Sequence, residues 1–229
     1  MQSIMVVQIP ANIPSDDLNF FLENVSDKKR DQYSRFVHQE DAYRSLLGEV
    51  LIRSTLALDM SVNHHELKFD YNPYGKPLLH NNPDLTFNIS HSGNWVAMIL
   101  DHGGHAVGVD VEKTVPLNLA FAANLFAPQE NQILASKTGD EQLEYFYQLW
   151  TLKESYMKAV GKGLSIPLTS FTMNRREDTG VWYSPEASGF HFKSFRMDDE
   201  HMLSVCSNGN YLPDVIQQVS INQLYNSLL

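Results

Sequence analysis

Two carboxylates give the chain its first chemical lead. In Val107-Gly-Val-Asp-Val-Glu112 the acids Asp110 and Glu112 stand two residues apart. In a strand, side chains at i and i+2 point to the same face, so both carboxylates emerge side by side while Val109 and Val111 pack the other way. Adjacent carboxylates repel unless a cation or a base compensates. Mg²⁺ suits such a pair, because it takes oxygen ligands and is commonly held by one or two carboxylates plus substrate phosphates. The hexapeptide equally fits a strand end that dips its acids into water.

Further along, Trp150-Thr-Leu-Lys-Glu-Ser-Tyr-Met-Lys158 sets Glu154 and Lys158 four residues apart, neighbours on one helix face. By itself this is a solvated ion pair worth about 0.3–0.5 kcal/mol. An acid followed by a base one turn later can also supply a third metal ligand and a phosphate clamp. Trp150 and Met157, at helical spacing, read as core. A third stretch, Phe87-Asn-Ile-Ser-His-Ser-Gly93, ends a strand on Ser90, His91 and Ser92. It offers hydroxyls, an imidazole and turn amides to an oxyanion, or forms a structural turn capped by a serine. Tyr74-Gly-Lys-Pro77 puts Lys76 on a constrained turn, reaching a phosphate or standing on the surface. His64-His65 and His102-Gly-Gly-His105 read as surface turns rather than metal sites.

These residues need elements to hold them. Leu46, Leu47, Val50, Leu51 and Leu58 form one stripe of a helix over about 39–58. A shorter helix capped by Ser26 precedes it, with Lys28, Lys29 and Arg30 in its first turns. Strand-like runs follow at 67–71, 85–89, 95–100 and 106–112, divided by Asn-Pro and Gly punctuation. The order then repeats: a helix over about 141–160, ended by Gly161 and Gly163, then runs at 170–173, 181–183, 190–196 and 201–206. The pattern predicts two similar α+β lobes, residues 1–105 and 106–229, each a long helix packed on a small antiparallel sheet, with a ligand cleft between them.

Composition narrows the classes. The chain has 229 residues, 43% hydrophobic and 19% charged, an ordinary globular balance with length for a sizeable core. Its net charge of −10 argues against nucleic-acid binding and means that an anionic ligand must be met by a local basic cluster. The start lacks the basic region of a leader, no run reaches the roughly 18–20 apolar residues of a membrane span, and the single Cys206 lies in an apolar run. Together these predict a cytoplasmic protein with a buried thiol.

Taken in order, the segments resemble the Sfp-type 4′-phosphopantetheinyl transferases, the class that activates non-ribosomal peptide synthetases. The family's (V/I)-G-(V/I)-D-x-E strand is present as Val107–Glu112, and its (W/F)-x-x-K-E-x-x-x-K helix as Trp150–Lys158. Phe36–Arg44, Tyr74–Pro77, Phe87–Gly93 and Gly161–Ser165 extend the resemblance across nearly the whole chain. It implies a pseudo-two-fold α+β fold with coenzyme A in the cleft. It further implies a Mg²⁺ ion, replaceable by Mn²⁺, on Asp110, Glu112 and Glu154. Lys158 matches a pyrophosphate-contacting lysine; Ser90, His91 and Arg44 match residues around the 3′-phosphate; Lys76 and Pro77 match the turn beside the adenine. Lys29 matches one phosphate-binding lysine, but the basic position three residues on is Gln32 here.

The implied reaction moves 4′-phosphopantetheine from coenzyme A to a serine of an apo peptidyl or acyl carrier, releasing 3′,5′-ADP. Glu154, or a metal-bound water, takes the serine proton and Lys158 steadies the leaving group. A metal-dependent pyrophosphate hydrolase and a non-catalytic coenzyme A-binding module are the competing classes. Because family carriers are acidic and this chain is too, docking is expected through the apolar run Leu117–Phe126. Two lobes in one chain predict a monomer.

Overall fold

Two sheets, each backed by one long helix, organise the molecule. The structure, a computed structural model, describes residues 1–229 apart from the side chains of residues 120, 121, 123 and 164. In chain order come β1 (Gln2–Gln8), α1 (Ser15–Glu23), α2 (Asp27–Tyr33) and α3 (Gln39–Met60). The strands β2 (Phe69–Tyr71), β3 (Pro77–Leu79), β4 (Thr86–Ser92), β5 (Trp95–Asp101) and β6 (Val107–Lys113) follow. Then come α4 (Pro128–Ser136), α5 (Gly139–Val160), β7 (Asn174–Arg175), β8 (Trp182–Tyr183), β9 (His191–Arg196), β10 (His201–Ser207), β11 (Ile216–Gln218) and α6 (Ile221–Asn226). The first sheet runs β11-β1-β5-β4 and the second β6-β10-β9-β8-β7, with β2 and β3 forming a separate hairpin. This is the α+β architecture that the element order predicts. No helix of the described residues is long and apolar enough to cross a membrane.

Three apolar clusters fill the layers. Leu46, Leu47, Val50 and Leu51 of α3 meet Met5 and Val7 of β1 and Met98 and Leu100 of β5. Phe146, Leu149, Leu152 and Met157 of α5 meet Phe192, Met202 and Cys206 of the second sheet. The opposite faces of both sheets share a third cluster, with Ile4, Val6, Ala97 and Ile99 on one side and Val109, Val111, Leu203 and Val205 on the other. Strands buried on both faces show no polar alternation. For that reason β1 reads in the sequence as nothing more than an apolar start.

The sheets meet edge to edge without a backbone ladder. An edge strand exposes unpaired N–H groups, which need partners when buried. Along β6 the N–H groups of Val109, Val111 and Lys113 donate to Asn88 Oδ1 (3.0 Å), Ser90 Oγ (3.3 Å) and Ser92 Oγ (3.1 Å) of β4. Three alternate polar side chains thus stand in for a neighbouring strand and bring the 90–92 segment against the Asp110–Glu112 segment.

Several expectations are corrected. Leu58 is 66% exposed, so the α3 stripe ends before it. Residues 170–173 form no strand: the buried Lys153 ammonium draws in the carbonyls of Leu168 and Phe171, and a 3-10 turn takes up 168–170. His64 is buried, its Nε2 2.8 Å from Asn24 Oδ1, rather than on a surface turn. A linear division at residues 105 and 106 does not hold for the C-terminus, where β11 pairs parallel with β1 and Leu224 and Leu228 join the first core. The outer edge of β1 would otherwise lie open.

Candidate active site

The acids of β6 reach α5 because Gly108 lets the strand and helix touch. A Cβ built there would lie 1.9 Å from the Ser155 carbonyl oxygen and 2.5 Å from the Ala159 nitrogen. On the same strand face, Asp110 and Glu112 look along the helix at Trp150, Glu154 and Lys158. With Ile89, Ser90 and His91 these residues line a cavity of about 380 Å³.

Polar contacts fix the cavity floor. Lys158 Nζ donates to Asp110 Oδ1 (2.6 Å) and to Ser90 Oγ (2.8 Å), and Ser90 Oγ itself donates to Asp110 Oδ1 (2.9 Å). Ser92 Oγ donates to Glu112 Oε2 (2.7 Å). The helix pair read from the i,i+4 spacing is therefore redirected: the Lys158 ammonium crosses to the strand. Burial raises the Asp110 carboxyl above the usual range, with the Lys158 ammonium opposing. Burial, then the charge of Asp110, raises Glu112. The same two causes raise Glu154, against the pull of Lys158. All three acids are held where losing a proton is disfavoured unless positive charge arrives.

That is the condition a divalent cation relieves. The donors are all oxygen, and Asp110 Oδ2 is buried with no hydrogen-bond partner. Among the described residues, no three His, Cys, Asp or Glu side chains are gathered as a ready-made ion site. The carboxylates fit a Mg²⁺ or Mn²⁺ ion in donor chemistry and line one cavity, without closing into a cluster.

A second cavity, of about 430 Å³, shares Ile89 and His91 with the first and carries the positive charge. Lys28, Lys29, Gln32, Ser45, Arg53 and Pro77 are among its lining residues. Lys29 Nζ donates to Ser45 Oγ (2.8 Å), and burial lowers its pKa, partly offset by Glu49. Burial, with Lys158, Arg44 and Lys29 nearby, also lowers the pKa of the His91 imidazole.

Two expected residues sit differently. Arg44 donates to the Gly93 carbonyl (2.6 Å) and pairs with Asp41, bracing the turn beyond β4. The Lys76 ammonium is taken up by main chain: it donates to the carbonyls of Lys158 (2.8 Å), Val107 (3.0 Å) and Ala159 (3.2 Å). Burial lowers its pKa to about 8. Trp150, read as core, lines the carboxylate cavity while stacking on Phe146. Arg53 was missed; its signal was a Glu49–Arg53 i,i+4 pair within an otherwise apolar helix stripe. In the expected docking run, the side chains of residues 120, 121 and 123 lie outside those described. Ala122 and Phe126 belong to the core, and Leu117, Leu119 and Leu125 are only half-buried against it.

Comparison with known proteins bears on the same residues. The family model for the 4′-phosphopantetheinyl transferase superfamily matches residues 106–206, and the model for the 4′-phosphopantetheinyl transferase N-terminal region matches residues 13–102. The chain is 39% identical over 206 residues to 4′-phosphopantetheinyl transferase Sfp of Bacillus subtilis, covering 89% of this chain and 91% of that one. It is likewise 39% identical over 183 residues to 4′-phosphopantetheinyl transferase gsp of Aneurinibacillus migulanus, covering 80% and 76%.

Proposed function

The chain belongs to the 4′-phosphopantetheinyl transferase superfamily, and from that premise we propose how its own residues carry out the transfer. It is an enzyme that moves the 4′-phosphopantetheine moiety of coenzyme A onto a serine of an apo carrier protein. The observation that carries the residue assignment is the convergence of Asp110, Glu112, Glu154 and Lys158 on one cavity, contiguous with a basic one.

Coenzyme A lies across both cavities, its anionic nucleotide end against Lys28, Lys29 and Arg53 and its pyrophosphate toward Lys158. Asp110, Glu112 and Glu154 would hold Mg²⁺, which when bound supplies positive charge against the pyrophosphate. The carrier serine oxygen bonds to the phosphorus that bears pantetheine, and the phosphoanhydride bond to 3′,5′-ADP breaks with its electron pair on the leaving group. Lys158 stabilises that charge. Glu154 takes the serine proton, as the helix carboxylate that shares the cavity with Lys158 and the two strand acids. His91 and the Ser90 hydroxyl orient the phosphates.

The finer parts of the proposal concern partners. The clients are apo peptidyl or acyl carriers, docking on the half-buried Leu117, Leu119 and Leu125. Both cavities are built from one chain, which supports a monomer, and sedimentation at the mass of one chain checks this. The lone buried Cys206 supports a reducing cytoplasm.

The deciding experiment incubates the protein with coenzyme A, Mg²⁺ and an apo carrier and then weighs the carrier by mass spectrometry. A gain of one phosphopantetheine, abolished by chelator, is expected. An unchanged carrier with free phosphopantetheine points to a hydrolase, and coenzyme A bound without turnover points to a binding module.

A further inference from the structure

The turn between β2 and β3 lies against the end of the catalytic helix. An α-helix leaves its last four carbonyls without intrahelical donors. At the C-terminus of α5 the hairpin provides them: Lys76 Nζ donates to the carbonyls of Lys158 and Ala159, and Asn72 Nδ2 donates to the carbonyl of Gly161 (2.7 Å). The turn is preorganised for this, since Asn72 Oδ1 accepts the N–H groups of both Tyr74 and Lys76 (2.9 Å each). Gly161, at φ +74°, turns the chain away beneath the Lys76 stem.

The third acceptor is the informative one. Lys76 Nζ also donates to the carbonyl of Val107, the first residue of β6, next to the Gly108 contact where strand and helix touch. One ammonium therefore ties the last turn of α5 to the start of the strand that carries Asp110. It binds the main chain of Lys158, whose side chain binds Asp110. A cation at a helix C-terminus is favourable in itself, but helix capping alone does not call for the bond to β6.

We propose that Lys76 is a positioning residue for the transfer, acting through Lys158: the hairpin latches α5 to β6 and sets the Lys158 ammonium against Asp110. The same hairpin supplies Tyr71 and Pro77 to the basic cavity. A nucleotide seated there would press on the latch that aims the catalytic lysine. The inference rests on the transferase reading above.

The test is a double-mutant cycle on kcat, with the Michaelis constant for coenzyme A followed in parallel. In Lys76→Met, kcat should fall about 10- to 100-fold, the scale expected when a reacting group shifts by ~1 Å, while the Michaelis constant changes less than threefold. In a Lys158→Ala background the same substitution should cost almost nothing, because residues acting as one unit are not additive. Lys76→Arg should recover part of the loss. Unchanged kcat in Lys76→Met, or costs that simply multiply in the double mutant, would overturn the proposal. Circular dichroism checks folding. Should Lys76→Met not fold, Asn72→Ala goes through the same cycle, with a smaller loss and the same non-additivity expected, and multiplying costs again count against the latch. Wild-type protein that modifies no carrier would refute the transferase reading, a result distinct from either outcome.

Discussion

Asp110, Glu112 and Glu154 share a cavity but not an environment. Asp110 is 3% exposed and already held through one oxygen by Lys158 and Ser90. Glu112 has the Ser92 hydroxyl. Glu154 lies on the helix without the Lys158 ion pair that its spacing suggests. Because its folded pKa is raised, Glu154 contributes stability that is present below the unfolded pKa and lost as pH rises through the folded pKa. Above the folded pKa its charge is therefore a burden on the metal-free fold. Glu154→Gln should raise the melting temperature in chelator at pH 7.5, shrink the stabilisation that added Mg²⁺ gives, and lower turnover about 10²- to 10⁴-fold. Thermal unfolding with and without Mg²⁺, beside the carrier assay, reads all three. An unchanged melting temperature with near-normal turnover would remove both roles. The residue types of this site were legible because a period of two and a spacing of four each fix a face. The Lys158–Asp110 bond was not, since it joins residues 48 apart by way of the fold.

The elements work as a fitted pair, β6 against α5, with β4 sealing the open edge of β6. Gly108 is the position on which the fit turns. Gly108→Ala places a methyl group against backbone atoms that have no rotamer to escape into, so α5 must move. Overpacking of this kind costs about 1–3 kcal/mol, and moving α5 takes Glu154 and Lys158 with it. Urea denaturation should show the loss, and activity should fall further than the fraction unfolded explains; wild-type behaviour in both would mean the helix has room. The long helices were readable in the sequence, since twenty-odd residues of 3.6-residue period leave little ambiguity. The two-residue strands β7 and β8 are too short to carry a period at all. The β4–β6 seam was legible only in part: Asn88, Ser90 and Ser92 alternate as strand residues should, but nothing local says that they meet another strand's N–H groups.

For the molecule as a whole, charge and connectivity set the terms. A net charge of −10 repels an acidic carrier at distance, so attraction must come at contact range. The Michaelis constant for a carrier should change less than about threefold as ionic strength rises from about 0.05 to 0.5 M, a range over which the screening length falls from beyond 10 Å to a few ångströms. A steep rise would show that docking relies on opposite charges instead. Connectivity was the least legible property. The two-part pattern along the sequence gives no hint that β11 returns to lie parallel with β1, pairing Ile4 with Ile216.

That return has a consequence for how the protein is made. On a ribosome, β1 emerges long before β11, with the whole second sheet made between them. The strand that completes the first sheet, and the Leu224 and Leu228 side chains that finish its core, reach it only after every strand of the second sheet has been made. During translation the half that bears the basic cavity waits with one edge unpaired, while β6, α5 and β10 can already assemble. Arrival of β11, rather than emergence of the first half, is then the event that completes the first sheet.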